Sequence, residues 1–273
     1  SFAALYVCIL GWALLYFPTL SLTNSLSFHH LVDVDKHFPG IRVFGTIGWI
    51  MAGWLVLAFG LNEQSYSPMV LAGALSALSG VYFLCLPHTP PKGKQGELFP
   101  AVRAVGMLKD PSFAVFVFVS FIIAIVLAGY FVFTAPFLEY AGTQLNVEYM
   151  RLHAAPLMTL GQCSEIIFML TLPFFLKRLG MKWTLAIGMA AWGLRYGVFA
   201  IGGPAVLIIL AILLHGICYD FFFVAAYIHT NSKATDETRA SAQAMFNFVV
   251  MGVGMFFGSS AFGWLFDYYT TDA

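Results

Sequence analysis

The segment SFAVFVFVSFIIAIVLAGYFVFTAPFL (residues 112–138) carries no charged side chain and is apolar on every face. A helix needs about 20 apolar residues to cross a bilayer. A strand of a membrane barrel needs about 10 and alternates strictly between apolar and polar. In hydrocarbon every backbone N–H and C=O must be satisfied within the protein, which leaves only helices and closed barrels. This segment is therefore predicted to be a membrane helix, and the pattern recurs on both sides of it. Spans are expected at 2–26, 41–61, 68–86, 112–138, 155–177, 182–201, 204–229 and 240–266.

The composition agrees. Of 273 residues, 60% are hydrophobic and only 10% charged, against roughly 25% charged in soluble domains. Thirteen Lys and Arg balance thirteen Asp and Glu, and no basic patch invites nucleic acid. Cys8, Cys85, Cys163 and Cys218 all lie in apolar stretches and imply neither a disulfide framework nor a metal motif. The fold class expected is an all-α, polytopic membrane protein.

Of the Lys and Arg residues, all but Arg151 and Arg195 gather at alternate connections: Lys36 and Arg42; Lys92, Lys94, Arg103 and Lys109; Lys177, Arg178 and Lys182; Lys233 and Arg239. The positive-inside rule makes those connections cytoplasmic and residue 1 extracytoplasmic. The longest of them, 87–111, holds Pro87, Pro90 and Pro91 and divides three spans from five. A basic middle loop between two helical groups suits a two-bundle transporter. Residues 1–86 are then the end of a first bundle, and residues 112–273 belong to a second. The chain opens with Ser1 inside an apolar run and shows no charged leader, so it is expected to be a piece of a longer protein.

Ionisable residues are costly inside a bilayer and usually face a cavity or a partner. Arg42, Thr46 and Trp49 are spaced to share one helical stripe, offering a guanidinium, a hydroxyl and an indole to a polar, planar solute. Gln162 and Glu165 share another face. His215, Tyr219 and Asp220 cluster on the 204–229 span. Plainer roles stand beside these: Glu165 as a hydrogen-bonded buried acid, Asp220 in a structural ion pair, Arg195 as the partner of a carboxylate. Phe221, Phe222 and Phe223 cover most of a helix circumference and are expected to pack or to meet lipid. The histidines, including His29, His30 and His37, are too scattered for a diiron enzyme, and neither a metal nor a cofactor is expected.

The stretches PTLSLTNSLSF (18–28), FPGIRVFGTIGWI (38–50), SEIIFMLTLPFFLKRLGMK (164–182), YDFFF (219–223) and TRASAQAMF (238–246) resemble the nucleoside:proton symporter family of the major facilitator superfamily, of the enterobacterial nucleoside permease type. The likeness covers nearly the whole chain in order. It implies a two-bundle fold of twelve helices, of which the fourth to eleventh, eight in all, would be present. It also implies proton-coupled uptake of nucleosides by alternating access, and residence in a bacterial inner membrane, commonly as a monomer. Residue by residue, it implies that Arg42, Thr46, Gln162 and Glu165 line the solute cavity, with Trp49 and Tyr219 at its aromatic positions and Asp220 at an aspartate tied to proton coupling. Burial disfavours a carboxylate's charge and a nearby guanidinium favours it, so Glu165 is the expected proton-linked group and Asp220 the second candidate.

Two departures stand out. Where the family's seventh helix offers a Gln and an Asn three apart, this chain has Ala128-Gly129-Tyr130-Phe131; His215 stands in place of an expected tyrosine, and is counted with the solute-binding set. Loss of those amides leaves open a symporter of another hydroxylated solute, such as a sugar or glycoside. A membrane enzyme or a non-transporting receptor are further alternatives. Asn247 could replace a lost amide or make an interhelical hydrogen bond.

Overall fold

In a computed structural model the described residues are 2–61, 65–90 and 101–271, and among them every regular element is helical. In chain order they are α1 (Phe2–His30), α2 (Val34–Ala58), α3 (Ser67–Phe83), α4 (Ala101–Gly106), α5 (Pro111–Gln144), α6 (Glu148–Leu152), α7 (Ala154–Ile201), α8 (Ala205–Leu213), α9 (His215–Tyr219), α10 (Ala225–Lys233), α11 (Arg239–Asn247) and α12 (Met255–Thr271). A 3₁₀ turn covers Met107–Lys109, and π-helical segments cover Asp220–Val224 and Phe248–Gly254.

Six helical runs are long and apolar enough to cross a membrane. Two of the expected spans, 155–177 and 182–201, lie within one of these, α7, which kinks at Gly180. Gly180 has φ 75°, a left-handed conformation that a side chain would resist, so FLKRLGMK does act as a turn. The expected span at 68–86 is shorter in the structure. Its helix ends at Phe83, where Leu84, Cys85 and Leu86 bond back in tight turns. The expected connection between the first two spans shrinks to residues 31–33. There the Asp33 carboxylate accepts from the Lys36 N–H at 3.1 Å and caps the start of α2. Arg42 consequently sits two turns inside a helix rather than in a connection. In the middle connection, residues 91–100, with Lys92 and Lys94, lie outside the described residues.

α5 starts on an Asp-Pro pair: Asp110 accepts from Ser112 N–H at 2.9 Å, and Pro111 occupies the first helical position, where no N–H is needed. α5 meets the last span through small residues. A Cβ at Gly254 would lie 2.5 Å from the Ala124 Cβ, and one at Gly258 only 2.6 Å from the Ala128 Cβ. Lipid tails are as apolar as side chains, so such close backbone approach is what holds membrane helices together. Phe221, Phe222 and Phe223 are buried in the main core, so they pack within the protein and do not face lipid.

Candidate functional site

Seven helical segments converge on a cavity of about 500 Å³. α2 supplies Arg42, Gly45, Thr46 and Trp49; α7 supplies Gln162 and Glu165; α9 supplies His215 and Tyr219. α1 lines the opposite wall with Tyr16, Phe17, Thr23 and Asn24, and α10 adds Tyr227. All seven residues expected to bind solute therefore share one cavity. A larger depression of about 650 Å³ lies between the His29 end of α1, residues 83–90 and residues 236–244. Asp236 there is exposed and pairs with Arg239 at 2.8 Å; Glu165 and His215, both buried, line the smaller cavity.

Glu165 is the centre of that cavity. Its Oε1 accepts a hydrogen bond from the Thr46 hydroxyl at 2.6 Å, and its Oε2 faces His215 Nε2 at 3.7 Å. Arg42 donates from Nη2 to the Tyr219 hydroxyl at 3.3 Å. Gly45 explains the Arg-x-x-Gly-Thr spacing. The Arg42 guanidinium folds back over this glycine, and a Cβ there would collide with Nη1. Trp49 lines the cavity with 65% of its surface exposed.

Asp220 does not line the cavity. It lies directly behind Tyr219 at the first residue of the π-helical turn, fully buried, and neither carboxylate oxygen has a hydrogen-bond partner in the protein. The expected structural ion pair for it is not formed among the described residues. π-Helical turns inside α-helices are frequent at functional sites because they free backbone groups and re-aim side chains.

Three further outcomes differ from the sequence reading or extend it. Arg195 was expected to pair with a carboxylate far from other polar groups. It instead donates to the carbonyls of Ala211 and Ile212, both at 3.0 Å, and contacts His215 Nδ1 at 3.2 Å, one side chain away from Glu165. Periodicity within its own helix could not reveal a partner on another one. Asn247 makes the interhelical bonds: its Oδ1 accepts from the Tyr227 hydroxyl at 2.7 Å, and its Nδ2 donates to Ser21 Oγ at 3.0 Å. It takes no part in the cavity wall. Tyr227 was missed, although Tyr219, Phe223 and Tyr227 recur every four residues and mark one aromatic stripe. On the seventh-helix position, Phe131 does line the cavity and presents an apolar ring there.

Comparison with known proteins agrees with this architecture. The family model described as "Nucleoside H+ symporter" matches residues 1–273. The transporter YegT of Escherichia coli (strain K12) is 39% identical over 94% of the chain and 62% of its own length. Xanthosine permease of the same organism is 34% identical over 95% and 65%, and its nucleoside permease NupG 33% over 98% and 67%. A crystal structure of a mutant of the nucleoside transporter NupG matches with a TM-score of 0.67 and 32% identity, covering 89% of this chain and 63% of that one. The chain thus spans 62–67% of the length of the relatives it matches. It belongs to the nucleoside H+ symporter family, has the major facilitator fold of that structural relative, and is a multi-pass integral membrane protein.

Proposed function

We propose that the chain forms the solute-handling part of a proton-coupled nucleoside importer of a bacterial inner membrane, working as a monomer by alternating access. The observation that carries this reading is the cavity itself. A guanidinium, two amide- or hydroxyl-bearing side chains, an acid and an indole meet within about 500 Å³, which suits a ring system with a hydroxylated appendage. Arg42 and Gln162 would hydrogen-bond the solute, Trp49 and Tyr219 would stack on its base, and Thr46 and His215 would complete the donor set. Residues 1–86 would end one bundle of three helices and 112–273 would form five helices of the other, joined by a cytoplasmic connection at 87–111, with bilayer lipid around both.

Glu165 is the proposed proton-linked group. Among the described residues its carboxylate is the only one on the cavity wall, and it already bonds across to α2, so proton binding and solute binding would act on the same contact. Asp220, buried without partners, is the second candidate, because a bare carboxylate in apolar surroundings is costly. The test is uptake of labelled uridine, adenosine and a panel of sugars by full-length protein in proteoliposomes, with and without a protonophore. Concentrative nucleoside uptake that the protonophore collapses is expected. Uptake of sugars alone would favour the second reading, a symporter for another hydroxylated solute, which Phe131 and Ala128 support by presenting no amide. Solute binding without any transport would make the protein a receptor.

A further inference from the structure

Arg195 is fully buried, and each of its three guanidinium nitrogens has a partner. Nε bonds the carbonyl of Ala211, Nη2 that of Ile212, and Nη1 contacts His215 Nδ1 at 3.2 Å. These carbonyls lie where α8 gives way to α9, and at the same break Ser164 Oγ accepts from the Gly216 N–H at 3.0 Å. A side chain inserted into the backbone ladder is one of the few causes of a broken helix. Here the break delivers His215 to the guanidinium.

A guanidinium has donors and no acceptor. The contact at Nδ1 can therefore be a hydrogen bond only if Nδ1 is the bare nitrogen of the ring, which puts the ring proton on Nε2. We infer that Arg195 is a positioning residue that fixes His215 as its Nε2–H tautomer, so that His215 offers the cavity a neutral hydrogen-bond donor beside Glu165. The ring has little freedom to choose otherwise. Tyr130 stacks on it at 4.5 Å with planes 21° apart, and the same Tyr130 ring lies 4.3 Å beneath the guanidinium carbon. Gly161 lets His215 come so close to α7 that a Cβ there would stand 3.0 Å from the His215 Cβ. Nε2 faces Glu165 Oε2 at 3.7 Å, beyond hydrogen-bond length, so its N–H is left for a solute acceptor.

The same geometry excludes His215 as a proton carrier. A second ring proton would have to sit on Nδ1, displacing the guanidinium and setting two cations side by side. The other groups facing the ring are Tyr130 from α5, Glu165 and Trp192 from α7, and Tyr219 on its own helix, with Arg42 of α2 beyond Tyr219. Of these only Glu165 is an acid that reaches the ring, and it faces Nε2 rather than Nδ1.

The inference takes the cavity as the binding site proposed above, but its test requires no solute, so either can fail without the other. Full-length protein labelled with ¹⁵N-histidine is examined by long-range ¹H–¹⁵N correlation in detergent, with His215 assigned by its loss in His215→Tyr. The expected spectrum has a protonated Nε2 and a bare Nδ1, unchanged between about pH 5 and 8, whereas a free imidazole titrates near 6.5. Arg195→Met, which leaves no donor at Nδ1, is expected to release the ring to a mixture of Nδ1–H and Nε2–H tautomers, and Arg195→Lys, which can only donate, to keep the proton on Nε2. A wild-type ring protonated on Nδ1, or doubly protonated in that range, overturns the proposal. A folded Arg195→Met protein whose ring proton stays wholly on Nε2 does so too. If that variant does not fold, the wild-type spectrum alone decides.

Discussion

Gly45→Ala separates two properties that usually move together. Alanine is about 1 kcal/mol better than glycine in a helix interior, and α2 is helical through this position, so the substitution favours the fold locally. The new methyl group, however, would occupy the space of Arg42 Nη1. The clash is with the far end of a flexible side chain, so the guanidinium swings away and the backbone stays. What is lost is the bond to Tyr219 and the aim of the charge into the cavity. A hydrogen bond to a charged group contributes about 1.5–3 kcal/mol, hence a roughly 10- to 150-fold loss of solute affinity. Scintillation proximity binding of labelled uridine measures it, with thermal unfolding in detergent as the control. A double-mutant cycle supplies the mechanism: in an Arg42→Ala background, Gly45→Ala should cost nothing further. Unchanged affinity in the single variant would refute the reasoning. An equal loss in both backgrounds would mean that the methyl group obstructs the solute directly.

Glu165→Gln should abolish accumulation of solute at pH 6 while preserving exchange down a gradient, and Asp220→Asn tests the second acid in parallel; accumulation that survives in Glu165→Gln and still collapses with a protonophore transfers the coupling role to Asp220. Trp49→Phe should be mild and Trp49→Ala severe in uridine affinity, since base stacking is worth about 1–3 kcal/mol, and equal losses would point to an indole hydrogen bond or to packing. Asn247→Ala leaves the Tyr227 hydroxyl and Ser21 without their shared partner; a fall in thermal stability of about 1 kcal/mol is expected, smaller in Asn247→Asp, which keeps the acceptor for Tyr227. Gly258→Leu, forced against Ala128 and the backbone of Ile125, should destabilise by about 1–3 kcal/mol through overpacking, seen as a lowered unfolding midpoint well beyond that of Gly258→Ala.

The helical class and the run of apolar segments were legible because the bilayer imposes one length and one composition on every span. The stripe of Arg42, Thr46 and Trp49 was legible for a related reason, since residues three and four apart on one helix must share a face. The junction near residue 30 was not. Its polar residues, from Ser27 to His37, look like a loop, yet one side-chain cap from Asp33 lets helix resume almost at once. Pairings between helices were equally hidden. Nothing in the spacing says that Thr46 meets Glu165 or that Arg195 meets His215, because interhelical register depends on packing that no single helix encodes. The glycines carried more of that register than their sequence suggested. Gly188 and Gly216 are each placed where a neighbouring segment comes within 3.0 Å of where a Cβ would stand, and Gly161 is nearly as tight.

Three polar contacts join α1 and α2 to the helices that follow α5: Ser21 with Asn247, Arg42 with Tyr219, and Thr46 with Glu165. All three use groups that water or a solute hydroxyl could satisfy equally well, so parting them costs little once the interface is wet. The α5–α12 seam differs, because its small residues allow backbone contacts that no solvent replaces. A rocking motion would therefore open the first set and conserve the second. Of the three contacts, only Thr46–Glu165 contains a group that can change its charge. Were Thr46 to withdraw, Glu165 would need a donor beyond the His215 N–H it faces at 3.7 Å, and two ligands could supply one: a solute hydroxyl or a proton. Each stabilises the arrangement in which Thr46 has let go, and by linkage each then raises the occupancy of the other's preferred state. With Glu165 as the proposed proton-linked group, coupling would need no long pathway between a proton site and a solute site, since both ligands would compete with one threonine for the same carboxylate.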